Sequence, residues 1–171
     1  MWPVDWALIV YLSAGALLIA AFYGRVLHAG PLLAAHLGAV LLIAAGAFLP
    51  QRRPIRFFRD WYPVLLIALC YREMSILIAA LRTGTADAWL ADVDLAVWRA
   101  HPAAWLVRFQ HPAVTEALEL AYAAFVPSVI LVGVVLWRRE GRRGFRSYAF
   151  LITLGFLASY VGYLLVPARG P

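Results

Sequence analysis

The stretch GYLLVPARGP, residues 162–171, brings an arginine to the end of a long apolar run. A guanidinium is planar, and its fixed fork of donors grips two phosphate oxygens together. Gly170 beside it has no Cβ, so a ligand can approach the backbone closely. Arg169 and Gly170 are therefore a candidate phosphate-binding element. The competing reading is an arginine just past a helix C-terminus, which complements the helix dipole and reaches back to water.

Other charged residues stand where apolar ones are expected. Tyr71, Arg72 and Glu73 interrupt an apolar run. A charge inside a bilayer costs several kcal/mol, roughly 2.5 to more than 10, so such residues face a partner or a wet cavity. They read either as a structural pair or as the polar lining beneath a substrate path, which Glu119 and Tyr163 would join. Glu116 and Glu119 share a helix face by their spacing of three. Glu116 suits the N-terminal end of a helix dipole, while Glu119, a turn deeper, calls for an internal partner such as Arg72 or Arg82. Asp92 and Asp94 resemble a DxD metal motif, but two carboxylates specify little, and the exposed face of a surface helix explains them as well. His28, His36, His101 and His111 lack the spacing of a metal site, and no GxSxG, HExxH or phosphate-cradling glycine loop is present. The expectation is no metal and no cofactor.

What must position these residues is a membrane-embedded bundle. Of the 171 residues 64% are hydrophobic and 14% charged, against about 45–50% and about 25% in a soluble domain. The apolar residues come in long runs, which marks an integral membrane protein. The 15 basic residues, all arginine, outnumber the 9 acidic ones. They gather in short loops between apolar runs, which points to membrane orientation and not to nucleic acid. Cys70 is the single cysteine, so no disulfide forms within the chain. The N-terminus lacks a basic n-region and a cleavage site, so its first run is a retained span. The abundance of Ala, Arg and Leu without Lys suggests a bacterial source.

Spanning the hydrocarbon takes about 20 apolar residues, which gives about five spans. They run near Trp6–Tyr23, Pro31–Leu49, Trp61–Leu81, Ala113–Trp137 and Ser147–Val166, with loops at 51–61 and 138–146. Between spans three and four, residues 82–112 carry Trp89, Trp98 and Trp105 at spacings that suit an amphipathic helix lying in the headgroup region. The fold class is all-α, a polytopic transmembrane helix bundle in one domain, 1–171. Both arginine-rich loops fall on one side, and short basic loops stay cytoplasmic. The N-terminus is then inside, while 82–112 and the ARGP end face outward, as in a bacterial inner membrane.

Together LELAYAAFVPSVIL (118–131) and SYVGYLLVPARGP (159–171) resemble the membrane-bound type 2 phosphatidic acid phosphatase superfamily. The likeness is to its inositol phosphorylceramide synthase-like, aureobasidin-target branch, in which Tyr163, Pro167 and Pro171 match the ending of the fifth span. HPAAWLVRFQHPAVTE, with ADVDLAVW before it, is similar to the segment preceding the fourth span, so the likeness covers residues 60–171. It implies a six-helix phosphatase or phosphotransferase acting at the exoplasmic face on a lipid phosphate or phosphoinositol-type headgroup. Its chemistry runs through a phosphohistidine, with Arg169 and Gly170 holding phosphate. The family's Lys-then-Arg-Pro pattern is altered here, since lysine is absent and Gly170 separates Arg169 from Pro171. Its Ser-Gly-His motif and later histidine do not occur within these residues. The expectation is therefore an N-terminal portion without catalytic residues of its own, inactive alone, whose partners are membrane lipids and a lipid-phosphate substrate. The alternative is a non-enzymatic helical membrane protein, structural or transport-related, with an intramembrane Arg/Glu network.

Overall fold

A computed structural model describes residues 1–50, 52–81, 84–109 and 111–168. The described residues form helices and no strands: α1 (Pro3–Ala21), α2 (Ala29–Gly46), α3 (Arg53–Leu81), α4 (Asp87–Trp98), α5 (Pro102–Leu106), α6 (Pro112–Arg139) and α7 (Gly141–Leu165). Of these α1, α2, α3, α6 and α7 are long and apolar enough to cross a membrane. Their outer faces keep large apolar side chains exposed, Leu42 at 75% and Leu120 at 72% among them. Lipid is the solvent that accepts such faces. The expected all-α membrane bundle is what the chain forms.

Two compact units divide the chain: Met1–Gly84 with Arg146–Pro167, and Thr85–Phe145 with Ala168–Pro171. In the first, α1 starts with Pro3 at a position where a missing N–H costs nothing. The Asp5 carboxylate reaches back to accept from the Trp2 backbone N–H at 2.7 Å, one half of a capping box, because the Trp2 indole has no acceptor to complete it. α2 lies against α1, its core contacts drawn from Leu8, Leu12 and Ile19 on one side and Ile43 on the other. α3 turns Cys70, Glu73, Met74 and Leu77 inward, the i, i+3, i+4, i+7 stripe of one helix face.

Two loops expected between spans are largely helical. Residues 53–60 form the first two turns of α3, because Pro54 suits a first turn and because Arg59 and Asp60 are held there by partners on α1 and α7. Residues 138–146 break only around Glu140 and Gly141, and Gly141 takes the left-handed φ of +68° that ends α6.

In the second unit, α4 ends on Arg99 with φ 53°, and buries no residue. Trp89, Trp98 and Trp105 are all more than half exposed. This accords with a short helix at a headgroup boundary. α6 carries Pro127 within it, and among its described residues only Gly133 is buried.

The Asp5 carboxylate is 1% exposed and takes Arg59 at 3.1 Å and Tyr62 at 2.6 Å besides the Trp2 N–H. Breaking a buried pair leaves a charge without its counterion, so Asp5→Ala is expected to cost about 3–5 kcal/mol. Tyr62→Phe removes one donor to that charged group and should cost about 1.5–3 kcal/mol. Equilibrium unfolding in mixed detergent micelles measures both, and an Asp5→Ala protein as stable as the unchanged one overturns the assignment.

Candidate functional site

Two polar layers cross the first unit, and of their members the sequence alone singled out Glu73. The lower layer lies at the starts of α1, α3 and α7. Asp5 joins α1 to Arg59 and Tyr62 of α3. The Arg146 guanidinium of α7 stacks 3.3 Å above the Trp2 ring, with its Nε 3.8 Å from Asp60. Arg59 also lies over Trp2, at 5.7 Å. An arginine over an indole gains cation–π attraction that grows as water is excluded. The starts of α1, α3 and α7 therefore meet at one end, and the three helices run in the same direction.

Beside this layer a cleft of about 310 Å³ opens between α2 and α3. Leu42, Ile43, Leu49, Phe58 and Leu65 wall it, and Asp5, Arg59 and Tyr62 border it. Its apolar walls suit an acyl chain better than a phosphate.

The upper layer lies within the spans. His36 of α2 places Nε2 3.4 Å from Glu73 Oε2 of α3. Its Nδ1 is 3.0 Å from the Leu32 carbonyl, one turn earlier in its own helix. His36 and Glu73 are 4% and 8% exposed. Gly15 of α1 faces the ring so closely that a Cβ there would come within 2.9 Å of His36 Nε2. Around this pair, the Tyr11 hydroxyl points at Met74 Sδ at 4.0 Å. The Tyr160 hydroxyl of α7 donates to the Ile67 carbonyl at 3.0 Å. Tyr160 is the centre of an aromatic cluster with Tyr11, Tyr71, Phe156 and Tyr163 at 6.1–6.4 Å between ring centroids.

The residues singled out by sequence are distributed as follows. Glu73 is buried and meets His36, whereas Arg72 and Tyr71 lie on exposed faces of α3. Tyr163 is half-exposed and touches the cluster through Tyr160. Glu116 and Glu119 are exposed on α6, in the second unit. Asp92 and Asp94 are exposed on α4, and among the described residues no group of three His, Cys, Asp or Glu side chains could hold a metal ion. His28 and His101 are exposed, and His111 opens α6 by accepting from the Ala113 N–H at 3.3 Å. Arg169 and Gly170, the candidate phosphate-binding element, and Arg82 lie outside the described residues. Sequence reasoning missed His36, Asp5 and Trp2. The available signal for the first two was a lone polar residue in an apolar run, the same signal that drew attention to Glu73.

Gly15 gives a direct check on the upper layer. Gly15→Ala forces the His36 ring away from a position held on two sides, and the overpacking should cost about 1–3 kcal/mol. Gly38, in the same α2 as His36, has open space where a Cβ would go. Gly38→Ala should stay within about 1 kcal/mol of the unchanged protein, since only helix propensity alters. Unfolding in mixed micelles compares the two, and equal effects would remove the case for a clamped histidine.

A scan against protein-family models, a search of curated proteins and a search of solved structures each return no match to this chain.

Proposed function

We propose that the chain is the membrane-embedded part of a phosphatase or phosphotransferase acting on a lipid phosphate or phosphoinositol-type headgroup at the exoplasmic face. The reading rests on the resemblance of residues 118–131 and 159–171 to the type 2 phosphatidic acid phosphatase superfamily. The observation that carries it furthest is the lower polar layer. The starts of α1, α3 and α7 gather at the end rich in Arg52, Arg53, Arg56 and Arg59. Short basic segments stay cytoplasmic, so the stretch leading to Arg169, at the far end of α7, would face outward.

In this reading Arg169 grips two phosphate oxygens, with Gly170 leaving room at the backbone. Charge neutralisation of that kind is the larger part of phosphoryl-transfer catalysis. The nucleophile is a separate matter. His36 is enclosed against Glu73, Gly15 and Leu32, and His111 is engaged as a helix cap. In this reading the phosphohistidine comes from the Ser-Gly-His motif that the resemblance implies, which does not occur within these residues. No metal or cofactor enters the proposal. A second reading, a helical membrane protein that is structural or transport-related, is favoured by one observation: the interior polar pair of His36 and Glu73.

Phosphate release from phosphatidic acid, and headgroup exchange on a phosphoinositol lipid, separate these readings when measured in vesicles. Residues 1–171 alone should give no turnover, and robust turnover would place the nucleophile among them after all. In a chain carrying the additional histidines, Arg169→Ala should lower turnover by about 100- to 1000-fold. Near-normal turnover would leave Arg169 as a helix terminus.

Orientation is checked independently. A cysteine introduced at Thr85 should react with an impermeant maleimide applied outside intact cells, and one at Arg142 should not. The reverse pattern would turn the bundle over and move the proposed site to the cytoplasm.

A further inference from the structure

We infer that His36 and Glu73 form a proton-binding site inside the membrane, with the proton held as Glu73 Oε2–H and donated to a neutral His36 Nε2. Glu73 was singled out for its charge in an apolar run, and neither the phosphate chemistry above nor the lower polar layer uses this pair.

The first step is the tautomer. His36 Nδ1 lies 3.0 Å from the Leu32 carbonyl, which can only accept, so Nδ1 carries a hydrogen in every state of the ring. Nε2 is left as the variable position, and it faces Glu73 Oε2 at 3.4 Å, the long edge of hydrogen-bond reach. One proton between these atoms makes the pair neutral. It sits either on nitrogen, giving imidazolium and carboxylate, or on oxygen, giving imidazole and carboxylic acid.

The second carboxyl oxygen decides between them. Glu73 Oε1 is fully buried and has no hydrogen-bond partner among the described residues. An ionised carboxylate would leave a share of full negative charge on that oxygen with no donor, in an apolar interior. A carboxylic acid leaves only a neutral carbonyl oxygen there, at much lower cost.

The surrounding groups supply no cation to shift the balance back. Tyr11 from α1 directs its hydroxyl to Met74, Tyr160 from α7 donates to Ile67, and Cys70 is a buried thiol on the same face of α3. Arg72, next in sequence, is exposed on another face of α3. His36 is the only basic group facing Glu73 among the described residues. Gly15 keeps the imidazole between α1 and Glu73, where any larger residue would displace it.

The chemistry is a proton transfer with no oxidant or reductant. The O–H bond of Glu73 Oε2 breaks, its electron pair stays on oxygen, and Nε2 takes the proton to give imidazolium. The reverse step restores the neutral pair. The ligand class is a single proton, and the tight fit around the ring leaves no opening for a larger one.

Two measurements on the protein in phosphatidylcholine vesicles at neutral pH test this. Infrared spectroscopy should show the carbonyl stretch of a protonated, weakly hydrogen-bonded carboxylic acid, lowered in D2O and lost in Glu73→Gln. A spectrum in which Glu73→Gln removes only carboxylate bands overturns the proposal. Nitrogen-15 NMR of the unchanged protein, labelled at histidine, reads the same question without relying on a folded Glu73 variant. His36, assigned by the signal lost in His36→Gln, should show a neutral ring with hydrogen on Nδ1 alone. An imidazolium signal, or hydrogen on Nε2 alone, overturns it.

Discussion

The first unit depends on one buried carboxylate. Asp5 is enclosed almost completely, and three donors converge on it: the Trp2 N–H, the Arg59 guanidinium and the Tyr62 hydroxyl. An unpaired carboxylate at that depth would be intolerable, so α1 and α3 are bound to start side by side. The same cap holds Trp2 still, and the Trp2 ring becomes the platform on which Arg146 stacks while its Nε approaches Asp60. α7 is thereby tied to the same end. A sequence of local necessities, from cap to pair to platform, sets three helices parallel, and their apolar faces then join in one core.

The two polar layers are different kinds of object. In the lower one, the charges balance and the carboxylate of Asp5 is saturated with donors, so its effect is registry: it fixes which turn of each helix meets which. In the upper one, Glu73 keeps an oxygen without a donor, and the histidine opposite it is held in a single tautomer by Leu32. Saturated polar groups specify packing, whereas an unsatisfied buried oxygen is tolerated only when its charge is suppressed. Glycine at position 15 fits this second role. It lets α1 approach the imidazole closely enough to exclude a larger ligand.

The spans were legible because hydrocarbon demands about 20 apolar residues regardless of partner, a demand met locally. The extent of α3 was not, because Arg53–Asp60 looks like a basic loop until Asp5 and Arg146 are in place. Those partners lie 54 residues before Arg59 and well after Asp60 in the chain. Local pattern cannot report such pairings. Phase explains what became of Arg72 and Glu73. Adjacent residues on a helix point about 100° apart, so one of them can join the stripe of Cys70, Met74 and Leu77 while the other faces outward. Their adjacency suggested a joint network, but geometry admits Glu73 alone. His36 was set aside for want of metal-ligand spacing, although a histidine in an apolar run needs a partner whatever its spacing. The element of Arg169 and Gly170 stays a reading of sequence, carried by resemblance and by the direction of α7.

Charge balance narrows where anionic chemistry could sit. Within the first unit, Arg59 is matched by Asp5, and Arg146 lies against Asp60. An arginine engaged by a buried carboxylate is a poor host for phosphate, because binding the ligand would strand that carboxylate in an apolar interior. The cleft beside this layer offers mostly apolar walls. The upper layer is worse suited, since its one basic group opposes Glu73, and an added anion there would meet an oxygen already lacking a donor. Neither interior layer is therefore suited to hold an anion. Among the described residues, the arginines outside these layers that the structure leaves exposed, Arg53 and Arg72 among them, are better placed to meet an anion.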